Sequence, residues 1–219
     1  MREKISILID KVFKPKGLLL NEGGALVFRK ILSEETKREL KNHFVLHLNQ
    51  PGTHQYVVDR NSEAILLRLI EKDCKSLSDL INDYVGNSTC DIAYYFESWT
   101  DAEAHRNSQL AHHDSVGHRL KLFVPLEMGW TTYFLKDSHT IRHLSDSSQD
   151  KALRMRLTED IGKKMDKIKL EFGDLLLFDT NGLHKGHVEN GYRGSVLVFE
   201  FSHYLKGSWQ GKVGKRSIL

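Results

Sequence analysis

The chain has 219 residues, 40% hydrophobic and 28% charged, which is enough to bury a full core in one domain spanning 1–219 and too evenly mixed for a disordered or repeat protein. The net charge of +3 is scattered except for Lys212, Lys215 and Arg216 in the tail, so no nucleic-acid groove is expected. Cys74 and Cys90 are too few for a disulfide framework, and the apolar run Ile5–Ile9 stops at Asp10, far short of a membrane span, so a cytoplasmic protein without membrane contact is expected.

In chain order, Gly17–Leu20 and Ala25–Phe28 read as short strands around the turn Asn21–Gly24. Ser33 stands where a helix N-cap belongs, with Glu34 and Glu35 in the first turn and Leu40, Phe44 and Leu46 following, so a helix ending before Pro51 is expected. From Asn61 to Tyr84, the apolar residues Ile65, Leu66, Leu69, Ile70, Leu77, Leu80 and Ile81 predict two helical segments interrupted near Cys74. These helices, mainly within 33–85, serve as a buttress.

After Gly86 the pattern turns to strands. Asp91–Glu97, Leu120–Leu126, Thr132–Leu135, Leu170–Phe178 and Val196–Phe201 are rich in β-branched, aromatic and leucine residues, while 150–167 reads as a polar helix or irregular insert. Many short strands, mainly within 91–205, preceded by helices predict an α+β protein built on a jelly-roll barrel.

Six of the twelve histidines fall between His105 and His143. Within Gln109-Leu110-Ala111-His112-His113-Asp114, side chains two apart on extended backbone project together, so His112 and Asp114 converge while His113 turns away. An imidazole and a carboxylate are two parts of a 2-His-1-carboxylate triad, a ligand set that leaves positions on an Fe(II) ion open. Past the buried strand ending in Phe178 comes His184, held by a rigid scaffold at an opening, with His187 as its competitor for the third place. Arg193 opens the next strand and Ser195 shares its face, a guanidinium and a hydroxyl suited to clamping a carboxylate.

Arg119 and Lys121 alternate with leucines and share one face, which is either solvated or interior and paired with an anion. Tyr95, Glu97 and Trp99 alternate on the strand ahead of the triad, as a substrate wall or as plain core. Gln109, His113, Arg119, Lys121, Tyr95 and Trp99 are thus the candidates for contacts to a substrate or to the ligands themselves.

Together, Ser108–Asp114, Arg119–Leu126, Gly129 to Ser138-His139, and Gly173-Asp174 through His184 to Arg193 resemble the phytanoyl-CoA dioxygenase branch of the Fe(II)/2-oxoglutarate-dependent oxygenases. The early strand Gly24–Arg29 and the helix after Ser33 extend the resemblance over most of the chain. It implies a double-stranded β-helix of cupin-like form, iron held by His112, Asp114 and His184, and 2-oxoglutarate held by Arg193 and Ser195 with a hydroxyl from Thr131 or Thr132. It also implies dioxygen as co-reactant and hydroxylation of a C–H bond, since Asp114 fills the place that halogenating members leave for halide. Two departures stand out: Ala111 replaces the usual aromatic before the first ligand, and Lys136-Asp137 stands where Pro-Gly is common. The loops expected at the mouth carry His105, Arg106, Arg142, His143, Arg154 and Arg156, which suit a small polar or anionic substrate. The rival readings are a non-catalytic ligand-binding barrel of the same fold and a zinc hydrolase using the same three ligands.

Overall fold

Among the described residues, nine strands form two antiparallel sheets, and the alternation of side chains along them decides what each face meets. The computed structural model describes residues 23–44, 53–86, 89–99, 110–114, 119–127, 130–140, 151–188 and 193–202. The expected strand at Gly17–Leu20, Gln109, and the mouth-loop residues His105, Arg106, Arg142 and His143 lie outside the described residues.

The larger sheet orders its strands β1 (Ala25–Phe28), β7 (Leu175–Asp179), β4 (Arg119–Pro125), β9 (Arg193–Ser202), β3 (Ile92–Trp99) and β2 (Thr53–Val57). The smaller orders β6 (Asp166–Lys169), β5 (Trp130–Phe134) and β8 (His184–Val188). A bridge between His112 and His184 adds the segment around the first ligand beside β8.

Three helices form early, as the sequence predicts. α1 (Glu34–His43) is capped by Ser33, whose hydroxyl accepts from the Thr36 amide, and α2 (Arg60–Asp73) is capped by Asp59. α2 gives way at Cys74 to α3 (Leu77–Val85), which ends at Gly86 in the left-handed region, φ 71°. Their apolar stripes, with Leu40, Leu66, Ile70, Leu80 and Ile81, cover one face of the larger sheet through Leu120, Leu122, Leu197 and Phe199. The opposite face, with Tyr94, Leu176, Phe178, Val196 and Val198, packs on Trp130, Phe134 and Ile168 of the smaller sheet.

The larger sheet is therefore buried on both sides, by helices on one and by strands on the other. This is the expected α+β architecture with its helical buttress. A fourth helix, α4 (Lys151–Ile161), resolves the 150–167 stretch and packs Leu157 and Ile161 over Ala111, Met165 and Leu183. No helix among the described residues is long and apolar enough to cross a membrane.

Candidate metal centre

β7 is buried at every position, so the turn that follows starts from a fixed point. Asp179 organises that turn: its carboxylate accepts from the Asn181 amide at 2.8 Å and from the Tyr84 hydroxyl at 2.6 Å, and its carbonyl accepts from the Gly182 amide at 3.0 Å. Burial, then the Asp179 charge, pushes the Tyr84 hydroxyl up, so it remains a donor. Asn181 donates to the His139 carbonyl, and the Ser138 hydroxyl accepts from the Leu183 amide at 2.8 Å. His184 leaves this turn already oriented.

The segment bearing the other two ligands is tied to the same turn. The amides and carbonyls of His112 and His184 bond reciprocally at 2.9 and 2.8 Å, and the Asp114 amide donates to the Thr180 carbonyl at 3.0 Å. On its far side, the Ala111 amide donates to the Thr158 hydroxyl of α4 at 2.7 Å.

These bonds bring one ligand atom from each of His112, Asp114 and His184 within 4.8 Å of one another. Nε2 of His112 lies 3.2 Å from Asp114 Oδ1, and Nε2 of His184 lies 3.5 Å from Oδ2. Each Nδ1 lies 2.8 Å from a nearby carbonyl, Leu110 for His112 and Gly182 for His184. A carbonyl only accepts, so each Nδ1 donates there, and Nε2 is the nitrogen left facing the cluster. Two imidazoles whose Nε2 atoms face the cluster and one carboxylate, all little exposed, fit a divalent transition-metal ion. His187 does not compete: three residues along β8 it faces the other way, its ring edge-on to Tyr133.

Lys121 and Arg119 lie on the interior face of β4, which decides the question the sequence leaves open. The Lys121 ammonium lies 2.5 Å from Asp114 Oδ2 and 3.2 Å from Glu200 Oε1, and Glu200 is its register partner on β9. The Tyr94 hydroxyl donates to the same Glu200 oxygen at 3.0 Å, and the Arg119 guanidinium lies 3.9 Å from the other. Burial raises the cost of a charged Asp114, but Lys121 and then His184 outweigh it and hold the carboxyl well below the usual range. Against its own burial, Asp114 and Glu200 hold the Lys121 ammonium well above its usual range.

Of the other expected contacts, Tyr95 and Ser195 are not brought to this cluster. Tyr95 lies on the helix-covered face of β3, its ring 5.0 Å from that of Phe44 and its hydroxyl donating to Glu97 at 3.1 Å. That face is packed with leucines, so Tyr95 is core and not a wall of the triad pocket. Ser195 pairs in register with Glu97, interacts with the Tyr95 hydroxyl, and shares the helix-covered side. Arg193 pairs with Trp99, and the side chains of both lie outside the described residues. Thr132 faces the space between the sheets and accepts from Trp130 Nε1 at 3.3 Å. Thr131 is buried on the opposite face, opposite His187, and its hydroxyl has no hydrogen-bond partner among the described residues. His113 is buried between the two ligands of its segment.

No family model matches the chain, and no curated protein matches it. Solved structures do. HygX from Streptomyces hygroscopicus, with nickel and 2-oxoglutarate bound, aligns over 90% of this chain and 91% of that one, with a TM-score of 0.62 and 13% identity. The epimerase SnoN, in complex with Fe3+, alpha ketoglutarate and nogalamycin RO, aligns over 91% and 90%, with a TM-score of 0.60 and 12% identity. The non-heme alpha ketoglutarate dependent carbocyclase SnoK from nogalamycin biosynthesis aligns over 87% and 83%, with a TM-score of 0.59 and 10% identity. At these identities the likeness is one of fold. The protein thus has the double-stranded β-helix of the non-haem Fe(II)/2-oxoglutarate oxygenases, and it carries a candidate His-x-Asp…His triad at the position of the bridge between its two ligand segments.

Proposed function

We propose that the protein is an Fe(II)- and 2-oxoglutarate-dependent oxygenase that hydroxylates a C–H bond of a small polar or anionic molecule. The observation that carries this reading is the donor set itself: two imidazoles with Nε2 held toward one carboxylate, within 4.8 Å, on a scaffold of the oxygenase fold. His112, Asp114 and His184 would hold the ion from one side and leave its other positions to cosubstrate and dioxygen. Fe(II) and 2-oxoglutarate together supply oxidation of a C–H bond by dioxygen, with 2-oxoglutarate leaving as succinate and carbon dioxide.

We read residues 1–219 as one such domain, of the phytanoyl-CoA dioxygenase-like branch, on its sequence motifs. Of the residues the resemblance offers for the distal carboxylate of 2-oxoglutarate, Thr132 faces the inter-sheet space beside Trp130, while Arg193, at the start of β9, rests on the resemblance alone. Ser195 is set aside because its side chain lies with Tyr95 and Glu97 behind the sheet. Lys121 and Arg119 add positive charge beside the triad, which suits an anionic ligand.

An epimerase and a carbocyclase share this fold, so the outcome of the oxidation is a separate question from the chemistry that starts it. The test is succinate release by anaerobically prepared protein given Fe(II), 2-oxoglutarate, oxygen and a panel of metabolites. Slow succinate formation without substrate, quickened by one panel member whose product gains a hydroxyl, is the expected result. Absence of succinate together with absence of metal and cosubstrate binding overturns the reading. Tight ligand binding without turnover would favour the non-catalytic barrel, and hydrolysis with zinc the hydrolase.

A further inference from the structure

Lys121 is an unusual neighbour for a metal ligand. A carboxylate that ligates a divalent cation is ordinarily hydrogen-bonded as well, and a neutral donor leaves its charge available to the ion. Here a full positive charge sits 2.5 Å from Asp114 Oδ2, the oxygen that also faces His184 Nε2 at 3.5 Å. An ion drawn to the three donors would meet the ammonium at the same carboxylate, and two cations repel across a weakly solvated space.

The ammonium has somewhere else to go. Glu200 Oε1 lies 3.2 Å away on the neighbouring strand, directly opposite in register. Glu200 is 4% exposed and is itself held by the Tyr94 hydroxyl and approached by Arg119. A buried lysine that lost its only carboxylate would be left as an uncompensated charge, whereas Lys121 keeps one.

We propose that Lys121 is a built-in competitor for the metal: its ammonium and the ion claim the same Asp114 carboxylate, and binding of the ion shifts Lys121 wholly onto Glu200, where it stays beside the ion as a contact for an anionic ligand. Metal and anion are then coupled through one side chain. The proposal rests on the triad being the metal site assigned above.

The sign of a mutational effect separates this role from a supporting one. Removing a side chain that merely orients a ligand weakens metal binding, on the order of 10–100-fold. Removing a competitor strengthens it. The experiment is a Co(II) titration of the 219-residue chain, followed by calorimetry, in wild type, Lys121→Met, Glu200→Gln and the double variant, with thermal unfolding confirming that each is folded.

Lys121→Met is expected to bind Co(II) at least about tenfold more tightly than wild type. Glu200→Gln is expected to bind more weakly, because Lys121 then has Asp114 as its only carboxylate partner, and the double variant should resemble Lys121→Met. Equal or weaker binding by folded Lys121→Met, or unchanged binding by Glu200→Gln, overturns the proposal while leaving the metal site intact. Should Lys121→Met fail to fold, the Glu200→Gln result decides. If Co(II) binds neither wild type nor any variant, the metal site itself is refuted and the competitor falls with it.

Discussion

Gly182 is the residue through which packing and metal binding are most tightly joined. A Cβ there would lie 2.3 Å from Phe134 Cζ, 2.7 Å from Cε2 and 3.1 Å from the Asp179 carbonyl oxygen. Phe134 cannot simply swing away: it is 2% exposed, meets Phe178 edge-on at 6.1 Å, and its backbone pairs with His184. Gly182→Ala therefore overpacks the space between the sheets, a change that costs about 1–3 kcal/mol. For a domain of this size that lowers Tm by about 2–12 °C. The Gly182 carbonyl accepts the Nδ1 proton of His184 at 2.8 Å, so its displacement also disturbs the ligand, and Co(II) affinity should fall on the order of 10–100-fold. Thermal unfolding and Co(II) titration measure the two effects. Adding Phe134→Leu makes room for the new methyl and should return part of the metal affinity, although it removes core contacts of its own. A Gly182→Ala protein with Tm within about 1 °C of wild type and unchanged Co(II) affinity would refute this account of the turn.

Two other perturbations test the surroundings of the triad. In the presence of a chelator, Asp114→Asn should lose stability at neutral pH, by less than the about 3–5 kcal/mol of a fully buried pair because Lys121 retains Glu200. The Asp114 carboxyl is held below its usual range, so its contribution is complete above about pH 4 and is lost as pH falls through the lowered pKa. The gap between wild type and Asp114→Asn in urea unfolding should therefore be constant near neutrality and close on acidification; a gap that widens toward low pH contradicts the assignment. Thr158→Val leaves the buried Ala111 amide without the hydroxyl it donates to, at a cost of about 1–3 kcal/mol. A drop in Tm is expected, and an unchanged Tm would show that α4 is held to the ligand segment by its apolar contacts alone.

The triad was legible in the sequence because it depends on strand alternation and on a rigid strand end. His112 and Asp114 are two apart and converge, and His184 leaves a strand buried at every position. The helical buttress was legible for a similar reason, through the cap at Ser33 and the apolar spacing of α2 and α3. What alternation could not supply was which face of β9 looks toward the triad. Val196 and Val198 are buried against the smaller sheet, Leu197 and Phe199 against the helices, so the strand has no polar side to orient it. Arg193 and Ser195 could be assigned to one face together, but not to the right side of the sheet, and the same uncertainty left Thr131 and Thr132 unresolved.

Glu200 was missed altogether. Its signal was a lone acid in the apolar run Val196–Phe201, matched by a lone lysine in the run Leu120–Val124, but their cross-strand pairing is a property of the register. Only the fold brings Lys121 to Asp114 and Glu200 at once.

The central claim is that His112, Asp114 and His184 hold one iron on which 2-oxoglutarate then assembles. The measurement that tests it most directly is an oxygen-free titration of the protein with Fe(II), then with 2-oxoglutarate, in wild type and His184→Ala. The account predicts saturable Fe(II) binding, 2-oxoglutarate binding that depends on the iron, and loss of both in His184→Ala. Fe(II) binding that survives unchanged in His184→Ala, or 2-oxoglutarate binding indifferent to iron, would contradict it.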